Sequence, residues 1–303
     1  MTRSRNLVVV RCGDQSLHPG WLTNRKDWDF AVSYFGSDDK KTFDQALHVH
    51  RYKGGKWDGL HDFFLSYPDC LTEYDYVWLP DDDIKADGAS IDAMFAAMRQ
   101  YELELAQPSL SPASYLSHLI SLNNRCFTYR NVNLIEIMVP VLDRRLLAIM
   151  LPFFEHSRTG FGFDFVWHRF TSDPGTKVAI LDAVQVTHTR PVGGPLSRLI
   201  ADNKNETAEQ EQDRFLAPYG DIDKTELVFG GQLRSGRRIR QPRLAATIAL
   251  AGWFLRPKGN HGFRENVPAW RFMIWVVRNW LGNMTTSRQL SKLPPKTVGE
   301  RAA

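Results

Sequence analysis

The sequence predicts an α/β fold, an open central sheet flanked by helices, followed by a helical C-terminal extension. Three observations predict it. Short runs rich in β-branched and aromatic residues alternate with segments of helical periodicity. Several of those runs end in glycine, aspartate or histidine, at the edge where an open α/β sheet forms its ligand crevice. And 303 residues, 43% of them apolar, can bury a sizeable core.

In chain order, the first expected strand is Asn6 to Cys12, which runs into Gly13-Asp14-Gln15-Ser16. That stretch suits a ligand crevice, with an ordinary turn as the alternative. Trp28 to Phe35 and Ala46 to Tyr52 read as further strands. In Lys53-Gly54-Gly55-Lys56 a glycine pair lies between two lysines, ahead of a helical pattern through Trp57, Leu60, Phe63 and Phe64. Lysines and free backbone N–H groups at a helix start suit an anion such as a diphosphate; a solvated basic loop is the alternative.

The stretch with most chemistry is Tyr74-Asp75-Tyr76-Val77-Trp78-Leu79-Pro80-Asp81-Asp82-Asp83. A buried strand stops at a proline and delivers three consecutive carboxylates. Adjacent carboxylates repel at neutral pH, and a divalent cation with oxygen preference is the usual remedy. A solvated acidic turn is the plainer reading of the same residues.

Downstream, Ser90 to Leu105 has a helical apolar face, and Ala106 to Ala113, with Pro108 and Pro112, reads as extended or turning. Phe127 to Asn133 and Leu134 to Leu142 read as strands, and Asp143 to Phe154 as a helix closed by Pro152. In Gly160-Phe161-Gly162-Phe163-Asp164-Phe165-Val166-Trp167 a lone carboxylate stands among aromatic rings. Desolvation there would move Asp164 toward a general base's range, and a helix N-cap is the compatible alternative. Lys177 to Thr187 reads as a strand that ends in His188, and Leu196 to Phe215 as a polar helix.

From Gln232 onward the chain carries 14 Lys+Arg against 2 Asp+Glu, leaving 24 against 32 in the rest. Gly230 to Arg243 reads as a linker, which sets expected domains of 1–230 and 231–303. Beyond it, Leu244 to Leu255 and Pro268 to Leu281 are helical, and four of the nine tryptophans lie there. Basic, tryptophan-rich amphipathic helices suit an anionic membrane surface; packing on the body or on a second subunit, as in a homodimer, is the alternative. Three cysteines without paired spacing, no signal-peptide core and no spanning run imply a cytoplasmic protein, at most peripheral on the inner membrane face. The Arg-rich segment carries no recognition motif, so nucleic acid is not an expected partner.

The signatures CGDQSLHPGWL, KGGKWDGLHDFF, YDYVWLPDDDI, LSP and GFGFDFVW resemble a mostly uncharacterised plant and bacterial family within the GT-A glycosyltransferase superfamily. The resemblance covers roughly residues 6 to 195. It implies a GT-A (Rossmann-like) fold with a mixed central sheet, and a nucleotide-sugar donor whose diphosphate is bridged by Mn²⁺ or Mg²⁺. It also implies a glycan or lipid-linked acceptor, as in polysaccharide assembly. Carried over residue by residue, Asp81 and Asp83 are metal ligands, Asp82 contacts the ribose and His188 is a further ligand. Gly13, Asp14, Lys53 and Lys56 line the donor site. Asp164 is the base of an inverting transfer, although the superfamily motif shows two adjacent acids and this chain has one. A catalytically silent nucleotide-binding module is the alternative class. A metal-dependent phosphohydrolase comes third, because no second acidic cluster stands in the sequence.

Overall fold

A computed structural model describes residues 6–24, 27–191, 206–254, 274, 277, 278 and 290–293. Eleven strands and seven helices are named here. β1 (Asn6–Cys12), β2 (Asp29–Tyr34) and β3 (His48–Arg51) lead to α1 (Lys56–Ser66) and α2 (Asp69–Thr72). β4 (Tyr76–Trp78), β5 (Ile84–Lys85), α3 (Gly88–Gln100) and β6 (Leu105–Leu110) follow. Then come β7 (Phe127–Val132), β8 (Val141–Asp143), α4 (Arg144–Phe154), α5 (Phe163–Val166) and β9 (Val178–His188). α6 (Ala208–Leu216), β10 (Val228–Leu233), β11 (Arg238–Ile239) and α7 (Pro242–Phe254) follow.

Among the described residues the strand order is β11-β10-β7-β9-β6-β8-β4-β1-β2-β3, with β5 paired to β9 off that path. β3, β2, β1 and β4 are mutually parallel, whereas β8 runs antiparallel to both β4 and β6. The sheet is therefore mixed, as the resemblance implies. The chain leaves β1 toward β2 and β3 and returns to the far side of β1 as β4. The carboxyl ends of β1 and β4 thus flank a topological switch point, the place where open α/β sheets bind ligands.

β1 is buried at every position because helices cover both faces of the sheet. Leu7 and Val9 join one core with Trp57, Phe63, Leu146 and Phe154, while Val8 and Val10 join the other with Trp78, Ile91, Phe95 and Met98. The period-two alternation of side chains sends alternate residues to opposite layers. α3 opens on Asp87, whose side chain accepts from the Ser90 N–H, and α4 on Asp143, which accepts from the Leu146 N–H.

Several expectations need correction. Of the apolar stretch 134–142 only Val141 and Leu142 are strand, in β8; Glu136 lies in the loop before it, whose carbonyls of Met138 and Pro140 accept from the N–H groups of Asp81 and Leu79. Pro152 lies inside α4 and does not close it. Gly230 to Arg243 is not a linker. β10 pairs with β7 and β11, and the boundary expected at 230 falls inside β10. At Gly231 the backbone φ is 143° and an added Cβ would stand 2.3 Å from the Tyr129 carbonyl oxygen, so these glycines serve a close strand crossing and not a flexible joint. α7 packs on β10 and buries Ala245, Ala249 and Trp253 in the core. Of the expected polar helix 196–215, α6 begins at Ala208 and the part up to 205 lies outside the described residues. Gly193, Gly194 and nearly all of the expected helix 268–281, with Trp270, Trp275 and Trp280, lie outside them too.

Candidate functional site

The switch point gathers the residues that sequence reading singled out. Arg11 at the end of β1 bridges in parallel to Asp81. The Gly13 N–H donates to Asp82 Oδ2 at 2.8 Å. An added Cβ at Gly13 would stand 3.0 Å from the Phe35 ring, so the turn after β1 leaves little room for a larger residue.

The three aspartates take three different partners. Asp81 Oδ1 accepts from Lys56 Nζ at 2.6 Å, and the Asp81 side chain keeps 37% of its surface exposed. Asp82 Oδ1 accepts from Arg190 Nη1 at 2.9 Å, and Arg190 also donates to the Gln15 carbonyl. Burial pushes the Asp82 carboxyl up, opposed by the Gly13 N–H and Arg190. Asp83 Oδ2 stands 3.2 Å from His188 Nε2. Its other oxygen, Oδ1, is buried and has no hydrogen-bond partner among the described residues. Repulsion among three adjacent carboxylates is thus relieved within the protein by one ammonium, one guanidinium and one imidazole. Buried carboxylate oxygens are rarely left without a donor, so Asp83 Oδ1 is an atom at this sheet edge that could take a cation, a feature that Asp164 Oδ1 and both Glu136 oxygens share.

His188 is oriented from behind. Its Nδ1 lies 2.9 Å from the Tyr115 carbonyl oxygen, which fixes Nδ1 as the donor and turns Nε2 toward Asp83, the arrangement usual behind metal-binding imidazoles. Burial works against charge on this ring, but the hydrogen bond and charge of Asp83 outweigh it and raise its pKa to about 9. The donor set of Asp83 and His188, with Asp81 beside Lys56, fits Mg²⁺ or Mn²⁺ held by few protein ligands and completed by substrate phosphates, provided His188 Nε2 gives up its proton as the cation binds. Among the described residues, no group of three or more His, Cys, Asp or Glu side chains is disposed to hold a metal by itself.

Lys53 and Lys56 part company. Lys53 Nζ donates to the carbonyls of Phe35 and Gly36, tying down the end of β2. Lys56 Nζ sits between Asp81 and the Ile137 carbonyl, each at 2.6 Å. Burial lowers its pKa and Asp81 opposes that. The first N–H groups of α1 are not free for an anion: Lys56 N donates to the Arg158 carbonyl at 3.1 Å and Asp58 N to the Ser157 carbonyl at 2.9 Å. Gly55 makes this close approach possible, because an added Cβ would lie 2.5 Å from the Arg158 oxygen. Asp14 accepts from the Tyr34 hydroxyl and, at 3.2 Å, from Ser37 N, so it shapes the loop after β2.

Asp164 is buried, as its aromatic setting suggested, but it is not an N-cap: Gly162, with φ 100°, holds that position and Asp164 lies in the first turn of α5. Its neighbour is His118, with Nε2 at 3.3 Å from Asp164 Oδ2, and His118 Nδ1 lies 2.8 Å from Glu226 Oε1. Glu136 completes the surroundings. It is buried, neither carboxyl oxygen has a hydrogen-bond partner among the described residues, and burial pushes its pKa up to about 7 against the opposing charges of His118 and His188. Glu136 therefore stands within electrostatic reach of both the Asp83–His188 pair and the His118–Asp164 pair.

Sequence reasoning missed Arg11, His118, Glu136, Arg190 and Glu226. Arg11 is buried and donates to the carbonyls of Gly55, Ser33, Tyr52 and Gly54, which fixes the loop carrying Lys56. Glu136 and Arg190 carried a visible signal: a lone acid in an apolar run, and a cation two residues after the strand-end histidine. His118 and Glu226 had none.

The raised Glu136 carboxyl has a measurable consequence. An unfolded glutamate titrates near 4.3, so between that pH and about 7 the folded chain holds the extra proton. Stability therefore falls as pH rises through this window, and the cost is complete above it. Glu136→Gln is expected to stabilise the protein by on the order of 3–4 kcal/mol at pH 8 and to leave stability unchanged near pH 4. Urea unfolding at both pH values in EDTA checks this; equal stability of the two chains at pH 8 contradicts it.

Fold and site together define an α/β protein that collects carboxylates, one ammonium and one imidazole at the switch point of a Rossmann-like half-sheet. Residues 28–130 match the family described as protein of unknown function (DUF707). No curated protein matches the sequence. Among solved structures, glucosyl-3-phosphoglycerate synthase from Mycobacterium tuberculosis, in complex with Mn²⁺, UDP and glucosyl-3-phosphoglycerate, is 13% identical, covering 80% of this chain and 88% of that one at a TM-score of 0.45. S. aureus TarS 1-349 with UDP-GlcNAc is 12% identical over 70% of each chain, TM-score 0.43. A putative nucleotide-diphospho-sugar transferase from Desulfovibrio desulfuricans is 10% identical with a TM-score of 0.30; the match covers 47% of this chain and spans 64% of that one.

Proposed function

We propose that this chain is a metal-dependent glycosyltransferase that moves a sugar from a nucleotide-diphosphate donor to a hydroxyl of a glycan or lipid-linked acceptor, with inversion. The observation that carries the reading is the buried, unpartnered Asp83 Oδ1 beside an oriented His188, at the carboxyl edge between β1 and β4. Asp83 and His188 would hold the divalent cation, with Asp81 next to them and paired to Lys56. The bound cation would offset charge on the diphosphate leaving group.

This chain's own residues do the rest. Lys56, at 10% side-chain exposure, sets one ammonium where leaving-group charge develops, and a fixed, partly desolvated cation stabilises that charge better than water does. The Gly13 N–H and Arg190 fix Asp82 toward the ribose end of the donor, and Asp14 and Lys53 hold the loops around it. Asp164 takes the proton of the acceptor hydroxyl as its oxygen bonds to the anomeric carbon.

One observation favours the catalytically silent binding module as a second reading: all three aspartates already have protein cations as partners. The membrane contact expected of the C-terminal helices has no support from α7, whose Trp253 is turned into the core. It rests on the second helix, which lies almost wholly outside the described residues. Among the described residues no helix is long and apolar enough to cross a membrane.

The test is hydrolysis or transfer with Mn²⁺ across a panel of nucleotide sugars, together with calorimetric donor binding. Asp83→Ala is expected to weaken metal-dependent donor binding at least about tenfold, as the loss of one inner ligand does. Unchanged affinity would sink the metal assignment, and binding without turnover by the unaltered chain would select the silent module.

A further inference from the structure

We propose that His118 is a positioning residue for Asp164: it donates from Nε2 to the Asp164 carboxylate while Glu226 anchors it through Nδ1. The proposal rests on the transferase reading for its catalytic meaning, but its geometry stands independently.

Three segments distant in sequence supply the parts. His118 immediately precedes the short helical turn Leu119–Ser121, Asp164 lies in α5, and Glu226 lies just before β10. Both neighbours of the ring are carboxylates, at 3.3 Å from Nε2 and 2.8 Å from Nδ1. A carboxylate only accepts, so both ring nitrogens carry protons and the imidazole is cationic. Burial opposes that charge, yet the hydrogen bonds His118 donates to Asp164 and Glu226 hold its pKa well above the ordinary value. Glu226 is itself fixed, since its Oε2 accepts from Ile120 N at 3.3 Å. The Phe165 ring meets the imidazole edge-on at 5.9 Å and limits its rotation.

The titratable groups facing His118 are Asp164, Glu226 and Glu136. A buried imidazolium held by two carboxylates is oriented at both nitrogens, and Asp164 in turn is oriented by it. This is the logic by which a third group orients a base in acyl-transfer triads. Here the oriented pair would act on a hydroxyl. The acceptor O–H bond breaks with its proton passing to Asp164, the freed electron pair bonds to the anomeric carbon, and the carbon–oxygen bond to the diphosphate breaks with its pair leaving on phosphate.

Two readouts on the full chain test the proposal. Imidazole ¹H–¹⁵N NMR of His118 reports its protonation directly and needs no turnover. Asp164→Asn is expected to lower its titration midpoint by about one unit or more, and Glu226→Gln likewise, because each removes a charge that favours the imidazolium. An unmoved midpoint in Asp164→Asn overturns the proposal. In transfer assays, His118→Ala is expected to lower kcat roughly 10–100-fold, the usual loss when a group that orients a functional side chain is removed. The donor KM should stay within about twofold, and His118→Gln, whose amide can still donate, should recover part of the loss. A changed donor KM with kcat intact overturns it as well. Absence of turnover in the unaltered chain would reject the transferase reading and leave the NMR result to decide the His118 coupling.

Discussion

Replacing Asp164 with asparagine is expected to reduce kcat for sugar transfer by about 10²–10⁴-fold, the contribution of a well-placed general base, with donor affinity retained. The substitution keeps shape and volume but removes the charge and basicity with which the carboxylate accepts a proton. Donor affinity should survive because the neighbour of Asp164 is His118, while Asp81, Asp82 and Asp83 take Lys56, Arg190 and His188. Binding and proton transfer are thus carried by separate side chains, and single-turnover kinetics with calorimetric binding of the donor would show the split. A variant with unchanged kcat would remove Asp164 from the chemistry, and equal losses in binding and rate would mean that the two groups are not separate.

The largest expected effect on stability lies away from the site. Arg130 on β7 and Asp182 on β9 are both fully buried and form a two-point pair, Nε to Oδ2 at 2.7 Å and Nη2 to Oδ1 at 3.0 Å. The guanidinium also donates to the carbonyls of Ile120 and Leu122 and lies 5.0 Å from the Trp253 ring centroid. Asp182 accepts from Asn124 N, and the Asn124 amide reaches the Ala249 carbonyl of α7. The pair thus pins α7 to the sheet. Asp182→Ala or Arg130→Ala is expected to cost about 3–5 kcal/mol, because each leaves an uncompensated buried charge. The double substitution Arg130→Met with Asp182→Leu should cost less than either single change, since no charge is stranded. Urea unfolding of the three variants checks this; a single substitution costing under about 1 kcal/mol would show that water reaches the pair.

Much of the fold was legible because side-chain direction follows backbone period. The runs Asn6 to Cys12 and Trp28 to Phe35 and the apolar stripe from Ile91 to Met98 became β1, β2 and α3 within a few residues. Errors fell where composition and tertiary context disagree. The apolar run 134–142 resembles a strand, but its loop portion crosses the end of β4 to meet Leu79 and Asp81 through backbone hydrogen bonds. The glycine- and arginine-rich segment resembles a linker, but its glycines let β10 pass close to β7. At the start of α1 the N–H groups that composition assigned to a phosphate are taken by the carbonyls of Ser157 and Arg158.

By itself the sequence determined that three aspartates would emerge from a buried strand, that Lys56 would open a helix, and that His188 would end a further strand, because each follows from local pattern at a strand or helix boundary. Only the tertiary structure decided which cation each aspartate would meet, and that Asp164 would face a histidine as well as aromatic rings. His118 and Glu226 are separated by 108 residues, as are Asp82 and Arg190. Pairings at that distance are set by strand order and crossing connections, and no periodicity within the chain encodes them.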